Sequence, residues 1–216
     1  MINYQKVGAN SSRLKPIIEL SSRSNKTYFI IGETTIGKIK QNTIVPVKVY
    51  IARSENQFDY YLMDAQGNEL GFTTLHHYRP GERKSYSASY EQKFPGAIYV
   101  ENIETLSDDY QGIGNSLHTV AVEISKQSGY EGRVLLDAEK SSHIFHYKFG
   151  FRSMGKKHYL RDEAIEHEIK KAERKINKGI ISSTKDHDTS HLGPIPMYLP
   201  EDAISETLNR EHIFFN

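Results

Sequence analysis

The chain has 216 residues with 28 Lys and Arg against 27 Asp and Glu, so its net charge is +1, and it contains no Cys and no Trp. The missing cysteines exclude a disulfide framework, a Cys-bound zinc or iron–sulfur site and a thiol nucleophile. The charge balance excludes a globally basic nucleic-acid binder, and the length predicts one domain, with at most an appendage. Because no apolar run reaches the ~18 residues of a membrane span and residues 1–15 do not resemble a signal peptide, we expect a cytoplasmic protein.

The first half of the chain is predicted to be mostly β-structure. Residues 1–26 form a polar lead-in, and Val45–Ala52 alternates so that its β-branched residues share one face. The segment Ala65-Gln66-Gly67-Asn68 is typical of a hairpin turn. The strands expected on this basis are Tyr28–Ile31, Val45–Ala52, Asp59–Met63, Leu70–Leu75 and Ala97–Leu106.

The second half is predicted to contain the helices. Apolar residues from Leu117 to Ile124 recur with the spacing of an amphipathic helix. We expect that helix to begin after Gly114 and to end at Ser128-Gly129. A thin apolar stripe along the charged segment Asp162–Lys178 predicts another long helix. The other expected elements are strands at Val134–Leu136, His158–Leu160 and Met197–Leu199, helices at Ser141–Phe149 and Glu201–Asn209, and a polar loop at Ile180–Gly193.

A strand, a glycine-containing turn and a helix follow one another between Ile98 and Leu117. The N–H groups at a helix start point outward, and the helix dipole adds about half a positive charge there. Gly112 and Gly114 lack Cβ, so an anion can approach the backbone closely. This pattern predicts a seat for a phosphate or pyrophosphate at Gln111–Ser116; an ordinary loop with two glycines is the alternative.

Two motifs resemble those of the GNAT superfamily of N-acetyltransferases. Gln111-x-x-Gly114-x-Ser116 is similar to the family's (Gln/Arg)-x-x-Gly-x-(Gly/Ala) signature, which also follows a strand and opens a helix. Phe145-His146-Tyr147-Lys148-Phe149-Gly150-Phe151 resembles the family's aromatic helix that ends in Gly-Phe. The order of the predicted elements between residues 57 and 153 fits the family as well.

The resemblance implies an α/β (α+β) fold with a central mixed, mostly antiparallel sheet flanked by helices. A single acetyltransferase-like domain at 27–216 would follow the lead-in, with a recognisable core at about 57–153 and an inserted charged helix at about 162–178. Residues 28–52 depart from the family, because two helices are usual there and strands are predicted here. The N-terminal part is therefore atypical and β-rich. Ser116 is a smaller departure, at a position where Gly or Ala is usual.

The same resemblance implies transfer of an acetyl group from acetyl-coenzyme A to a primary amine, by direct attack in a ternary complex and without a metal. Strand backbone near Glu104 and Leu106 would pair with the pantetheine arm of the cofactor. The acceptor would be a small molecule, a peptide or a protein, with a second copy of the chain as a further candidate partner and neither membrane nor nucleic acid expected. The residues implied to hold the cofactor are Glu104, Leu106, Gln111, Gly112, Ile113, Gly114, Asn115, Ser116 and Leu117.

The candidates for proton transfer form two pairs. Glu101 and Glu104 lie on the strand that faces the acetyl group in the family, and a carboxylate there could take the proton of the amine. Being three residues apart, they are expected on opposite faces of the strand, and Glu104 is preferred because it lies closer to the glycine turn. The family's general-acid tyrosine falls on His146 by position, whereas the adjacent Tyr147 suits the chemistry, because a tyrosine is protonated at neutral pH.

The remaining polar clusters favour simpler interpretations. Asp186-His187-Asp188 with His191 is the best metal candidate, but its surroundings do not predict a helix, so a solvated loop is expected instead. The basic, tyrosine-rich segment Tyr78–Tyr90 is expected to form a flexible rim between strands, with RNA stacking as the alternative. The main rival function is a catalytically silent acyl-coenzyme A binding module, and an interaction protein that uses Tyr78–Tyr90 is the second.

Overall fold

The computed structural model describes residues 28–39, 43–54, 57–79, 96–154, 157–210 and 214–215. The predicted lead-in at 1–26 lies outside these residues, as does the 78–90 segment after its first two residues. The described residues form one sheet of ten strands. These strands are β1 (Tyr28–Lys38), β2 (Thr43–Ser54), β3 (Gln57–Met63), β4 (Glu69–Tyr78), β5 (Ala97–Thr105), β6 (Tyr110–Gln111), β7 (Val134–Ala138), β8 (Arg152–Ser153), β9 (Ile195–Tyr198) and β10 (Phe214–Phe215).

The sheet is mixed and mostly antiparallel, as predicted. Its strand order is β10-β1-β2-β3-β4-β5-β7-β9-β8, and β6 pairs with β1 outside this path. Among the described pairings, β5 with β7 is parallel and the others are antiparallel. The predicted hairpin is present, because β3 and β4 pair on either side of residues 64–68.

The alternation in β2 sends its side chains to two separate cores. Val47 and Val49 are buried in the main core, and Val45 and Ile51 pack against it. Tyr50 lies on the opposite face, in a second cluster with neighbouring aromatic residues. The one-faced pattern of β-branched residues is therefore confirmed, and the strand is longer at both ends than predicted.

The described residues also form four α-helices. These are α1 (Ile113–Gln127), α2 (His143–Phe149), α3 (His158–Asn177) and α4 (Glu201–Arg210). The stripe of α1 is confirmed, because Leu117, Val120 and Ala121 are buried against the sheet. Burying each large aliphatic side chain contributes roughly 1.5–3 kcal/mol, so this packing fixes the start of α1 beside the end of β5.

The predicted strand at His158–Leu160 is wrong, because these residues form the first turn of α3. The error has a local cause, since three residues are too few to distinguish the period of a strand from that of a helix. The apolar stripe predicted for the rest of this helix is confirmed: Ile165 and Ala172 are buried, and Ile169 packs against the main core. Helix α3 lies between β8 and β9 in the chain, as expected for an inserted charged helix.

The centre of the sheet opens into a fork. Within the described residues, β5 pairs with β7 over Ile98–Val100, whereas it stays paired with β4 as far as Thr105. On its other side, β7 pairs with β9 from Leu135 to Ala138. A β-bulge lies at the same place, with Glu101 as the extra residue on β5. The fork leaves one backbone edge of β5 unpaired by β7 next to the start of α1.

Candidate functional site

The loop that leads into α1 is held against β1. Tyr110 and Gln111 form β6 and pair with Lys38 and Gly37, and the Ile39 N–H donates to the Asp109 carbonyl at 2.9 Å. A Cβ at Gly37 would lie 2.7 Å from Cγ of Gln111, so a larger residue there would force the Gln111 side chain to move. The N-terminal strands, which form the part predicted to be atypical and β-rich, thus also position the glycine turn.

Helix α1 begins one residue before Gly114, not after it as predicted. Its N-cap is Gly112, whose φ of 88° lies in the left-handed region that favours glycine. Within the described residues, no side chain caps this end, and the first turn contains no acidic residue. The first bond of the helix runs from the Ser116 N–H to the Gly112 carbonyl at 2.9 Å, so the N–H groups before Ser116 point out of the helix. This end of α1 can therefore accept an anion.

Gly114 has a packing role in addition to any role toward a ligand. A Cβ at this position would lie 2.7 Å from Cζ of Phe145 on α2. Helices α1 and α2 approach each other at this glycine, and a larger side chain would displace the phenyl ring. The signature glycine is thus explained in part by helix packing, which a local sequence pattern does not reveal.

A cavity of about 950 Å³ lies in front of the α1 N-terminus. Three walls surround it: the glycine turn, one side of α2, and the loop that follows α3. Residues 103 and 105 of β5 also reach it, so it extends to the unpaired edge of the fork. Its lining consists of Ile39, Ile103, Thr105, Ser107, Asp108, Tyr110, Gln111, Gly112, Ile113, Gly114, Asn115, Thr119, Ser141, Ser142, Phe145, Lys148, Phe149, Ser182, Ser183, Thr184, Lys185 and Thr207.

Five of the nine predicted cofactor residues line this cavity, namely Gln111, Gly112, Ile113, Gly114 and Asn115. Ser116 and Leu117 do not, because both are buried and Ser116 already uses its N–H inside the helix. Within the cavity lining, the predicted seat therefore extends from Gln111 to Asn115. This limit follows from the helix geometry, in which donors from the fourth helical residue onward are bonded internally.

On β5 the lining residues differ from those predicted by one position. The Leu106 N–H donates to the Leu70 carbonyl at 2.8 Å, so this amide faces β4. Strand alternation gives Glu104 the same orientation and turns the backbone of Ile103 and Thr105 toward the fork. The prediction placed the backbone contacts near Glu104 and Leu106, whereas the cavity is lined by Ile103 and Thr105. The side chain of Leu106 is exposed.

Glu101 and Glu104 lie on the same face of the sheet, contrary to prediction. Glu104 is opposite Phe72 in the β4–β5 pairing, and the carboxylate of Glu101 lies 2.5 Å from Nε2 of His76. Phe72 and His76 are an even number of residues apart on β4 and so share a face. The bulge causes the difference, because its extra residue reverses the alternation between the two glutamates. The same face carries a bond from the Tyr99 hydroxyl to Asp137 at 2.9 Å.

His146 is part of a buried core cluster. It is 4 % exposed, and its Nδ1 shares a hydrogen bond of 3.0 Å with Nε2 of His118 on α1. Burial, reinforced by the nearby His143, lowers the pKa of His146 to about 3, and burial also lowers the pKa of His118 well below its usual value. Burial thus favours the neutral form of His146, which suits a core residue better than a charged histidine acid.

Tyr147 points toward α3. Its hydroxyl donates to Oε1 of Glu166 at 2.6 Å, and the Arg152 guanidinium lies 4.3 Å from its ring centre. Burial and the bond to Glu166 raise the pKa of Tyr147 to about 12. Among the described residues that line the cavity, neither Tyr147 nor His146 is present. Both proposed acids are therefore separated from the cavity in this structure, because the α2 side chains that reach it are those of Phe145, Lys148 and Phe149.

The loop after α3 is exposed at Lys185, Asp186 and Asp188, as predicted for a polar loop, but it is docked at two buried residues, His187 and Thr189. His187 is 3 % exposed and bonds through Nε2 to the buried Glu168 at 2.8 Å. This histidine could not be placed from the sequence, because its partner lies 19 residues away on a helix. No group of three metal-ligating side chains lies together among the described residues. None of the described helices combines the length and the apolar character needed to cross a membrane.

The comparisons with known proteins find similarity in structure. No protein-family model matches the chain, and no curated protein matches it. A solved bacterial toxin is 18 % identical, with 73 % of this chain and 75 % of the toxin chain covered and a TM-score of 0.43. AtaTR bound with AcCoA is 14 % identical over 70 % and 74 %, with a TM-score of 0.37. Nourseothricin acetyltransferase is 15 % identical over 89 % and 93 %, with a TM-score of 0.35.

Proposed function

We propose that the chain is an acetyl-coenzyme A-dependent N-acetyltransferase that acetylates a primary amine in the cytoplasm. One observation carries the proposal: the cavity joins an uncapped helix N-terminus to the unpaired strand edge of the fork. An anion seat and an extended row of backbone groups, side by side, suit a long ligand with a phosphorylated end and an amide-containing arm.

The residues present fit acetyl-coenzyme A. The N–H groups of Ile113, Gly114 and Asn115 would hold its pyrophosphate. The backbone of Ile103 and Thr105 would pair with its pantetheine amides, because these strand groups face away from β4. A cavity of about 950 Å³ is within the range found for small-molecule and cofactor sites.

The chemistry requires a neutral amine and an electrophilic thioester. The amine lone pair attacks the thioester carbonyl carbon, the C–S bond then breaks, and the proton lost by the amine passes to a base. Glu101 and Glu104 supply carboxylates on one face of the sheet beside the bulge, and Glu101 is held by His76. Neither is among the described residues that line the cavity, so this role requires the amine to reach the thioester from their face of the sheet. We assign the base to this pair without separating them, because either carboxylate could act directly or through one water. The chain has no cysteine, so an acetyl-cysteine intermediate cannot form, and the amine attacks the thioester directly in this scheme.

The leaving thiolate needs no protein acid in this scheme. A thiol has a pKa near 8.5, so its thiolate is a fair leaving group that water can protonate. This matches the positions of His146 and Tyr147, which lie outside the cavity lining. The same observation favours the rival function, a catalytically silent acyl-coenzyme A binding module, because a silent module would also lack a residue poised to act as an acid.

Asn115 offers a variant that separates binding from folding. It is exposed and lines the cavity in the first turn of α1. Asn115→Asp adds a negative charge that the helix dipole tolerates but that repels a phosphate. We expect acetyl-coenzyme A to bind about tenfold more weakly, equivalent to about 1.4 kcal/mol, with no loss of thermal stability. The matched control, Gln127→Glu, adds the same charge at the other end of α1 and should leave the affinity unchanged.

Turnover is tested by thiol release from acetyl-coenzyme A with a panel of small amines, peptides and lysine-containing proteins. The signal has no protein background, because the chain lacks cysteine. Binding without thiol release across the panel would support the silent module. If acetyl-coenzyme A neither bound nor raised the melting temperature, both functions would be refuted, since a ligand at a hundredfold excess over Kd stabilises by about 2.7 kcal/mol.

A further inference from the structure

Residues 181–193, which we call the anchored loop, form one wall of the cavity and are tied to α3 at a buried point. His187 is 3 % exposed, and its Nε2 donates to Glu168 at 2.8 Å. Its Nδ1 accepts from the Lys175 ammonium at 3.2 Å, which fixes the tautomer with the proton on Nε2. Lys171 donates to the second oxygen of Glu168 at 2.7 Å. Each oxygen of the Glu168 carboxylate thus has a donor, and the bond to His187 ties the loop to α3.

A second anchor ties the same loop to the start of α2. His143 is fully buried, and its Nε2 donates to the Gly193 carbonyl at 2.8 Å. Its Nδ1 lies 2.9 Å from the Thr189 hydroxyl, which is also 3.1 Å from the Lys140 carbonyl. The anchored loop is therefore fixed on two sides of the cavity wall, by α3 and by α2.

The turn that faces the cavity is stabilised from within. Thr184–Asp186 forms a short 3₁₀ turn with a capping box between Ser183 and Asp186. The Asp186 carboxylate also accepts from the Ser182 hydroxyl at 2.7 Å and from the Ser183 N–H at 2.9 Å, and these bonds lower its pKa. With this carboxylate directed into its own turn, Lys185 is the charge that the loop presents to the cavity.

A second lysine reaches the cavity from a different wall. Lys148 lies in the last turn of α2 and lines the cavity with Lys185. Among the described residues, neither lysine forms an ion pair, and Asp108 is the single carboxylate of the lining. The cavity therefore has two sources of positive potential, the α1 N-terminus and this lysine pair.

We propose that Lys148 and Lys185 form a second anion site, which binds the ribose 3′-phosphate of coenzyme A. This inference rests on the proposed function and names the two residues that would select coenzyme A as the cofactor. A phosphomonoester carries about −1.5 to −2 charges at pH 7, more than either phosphate of a pyrophosphate diester, so it gains most from a pair of ammonium groups. The α1 N-terminus would hold the pyrophosphate, and the anchored loop would distinguish coenzyme A from ligands that lack the third phosphate.

The test compares acetyl-coenzyme A with 3′-dephospho-acetyl-coenzyme A by calorimetric titration of the full chain. We expect the wild-type chain to bind acetyl-coenzyme A at least about tenfold more tightly. Lys185→Ala and Lys148→Ala should each lower that preference several-fold, because each weakens the binding of acetyl-coenzyme A and leaves the binding of the 3′-dephospho ligand unchanged. The matched control is Lys178→Ala, an exposed lysine at the end of α3 that does not line the cavity. It should keep the wild-type preference.

The outcomes separate the two levels of the proposal. Equal affinity of the wild-type chain for both ligands would overturn the second anion site and leave the proposed function standing. Failure of both ligands to bind would overturn the proposed function itself. A wild-type preference that survives both lysine variants would show that other residues read the 3′-phosphate and would also refute the assignment. Circular dichroism of each variant confirms that a change in preference is not a loss of folding.

Discussion

Glu168 provides a direct test of how α3 and the anchored loop hold each other. Its carboxylate is 4 % exposed and receives bonds from Lys171 and His187 at 2.7 and 2.8 Å. Glu168→Gln keeps the size of the side chain but removes its charge and replaces one acceptor oxygen by a donor. One of the two donors then faces another donor. The amide oxygen can still face the buried His187, and Lys171, whose side chain is 46 % exposed, can turn to water. The loss then comes from the missing charge in both bonds, and we expect about 2 kcal/mol in unfolding free energy.

The pH dependence of the same variant gives an independent check. Burial alone would raise the pKa of Glu168, but the bonds from Lys171 and His187 outweigh it and lower the pKa to about 2. The unfolded chain therefore binds this proton near pH 4.5, and the folded chain does so near pH 2. The stabilisation is fully present above about pH 4.5 and is lost as the pH falls toward 2. The difference between the wild type and Glu168→Gln should shrink over that window.

The assay is urea unfolding between pH 3 and 7, because urea, unlike guanidinium, does not screen the charges. Glu163→Gln is the matched control, an exposed glutamate of the same helix whose replacement should change stability by less than about 0.5 kcal/mol. If Glu168→Gln matched this control at pH 7, or if its deficit were the same at pH 3 and pH 7, the account of a buried, charge-dependent anchor would be refuted.

Three further predictions concern the site. Gly112→Ala should lower the unfolding free energy by about 1–2 kcal/mol in urea, because φ is 88° there, although nothing lies near the added methyl group. The wild type should lose stability as the pH falls from about 6.5 to 3, because His118 and His146 bind protons in the unfolded chain but resist them in the folded chain. The double variant His118→Phe with His146→Leu should lose less stability over this range, which unfolding curves at pH 7.5 and 4.5 measure. Tyr147→Phe should remove the bond to Glu166 at a cost of about 1 kcal/mol and leave thiol release near the wild-type rate; a large drop would restore Tyr147 as the acid.

Local patterns predicted most of the fold. The hairpin turn, the alternation in β2 and the stripe of α1 each depend on residues close together in the chain, so the physical rule and its evidence lie in the same segment. The failed strand at 158–160 lacked such evidence, because three residues do not define a period. The GNAT-like order of elements followed from these local predictions together with the resemblance.

The candidate site was predictable where it is made of backbone. Gln111–Asn115 lie in the cavity lining because a strand, a glycine turn and a helix in succession place free N–H groups at one point. The side-chain roles were harder to predict. Whether His146 or Tyr147 faces the cavity depends on how α2 is rotated against α1, and their neighbours Phe145 and Lys148 are the residues that reach it.

The sequence by itself determined that thiol chemistry is unavailable and that the start of α1 is open to an anion. Without cysteine there is no thiol route, and with Gly112 at the N-cap the start of α1 is open. The tertiary structure alone decided which charged residues share a sheet face or a cavity. A single bulge put Glu101 on the face of Glu104, and the loop after α3 brought Lys185 to the cavity that Lys148 lines. These pairings depend on contacts between distant segments, and a pattern of neighbouring residues carries no information about the distance between them.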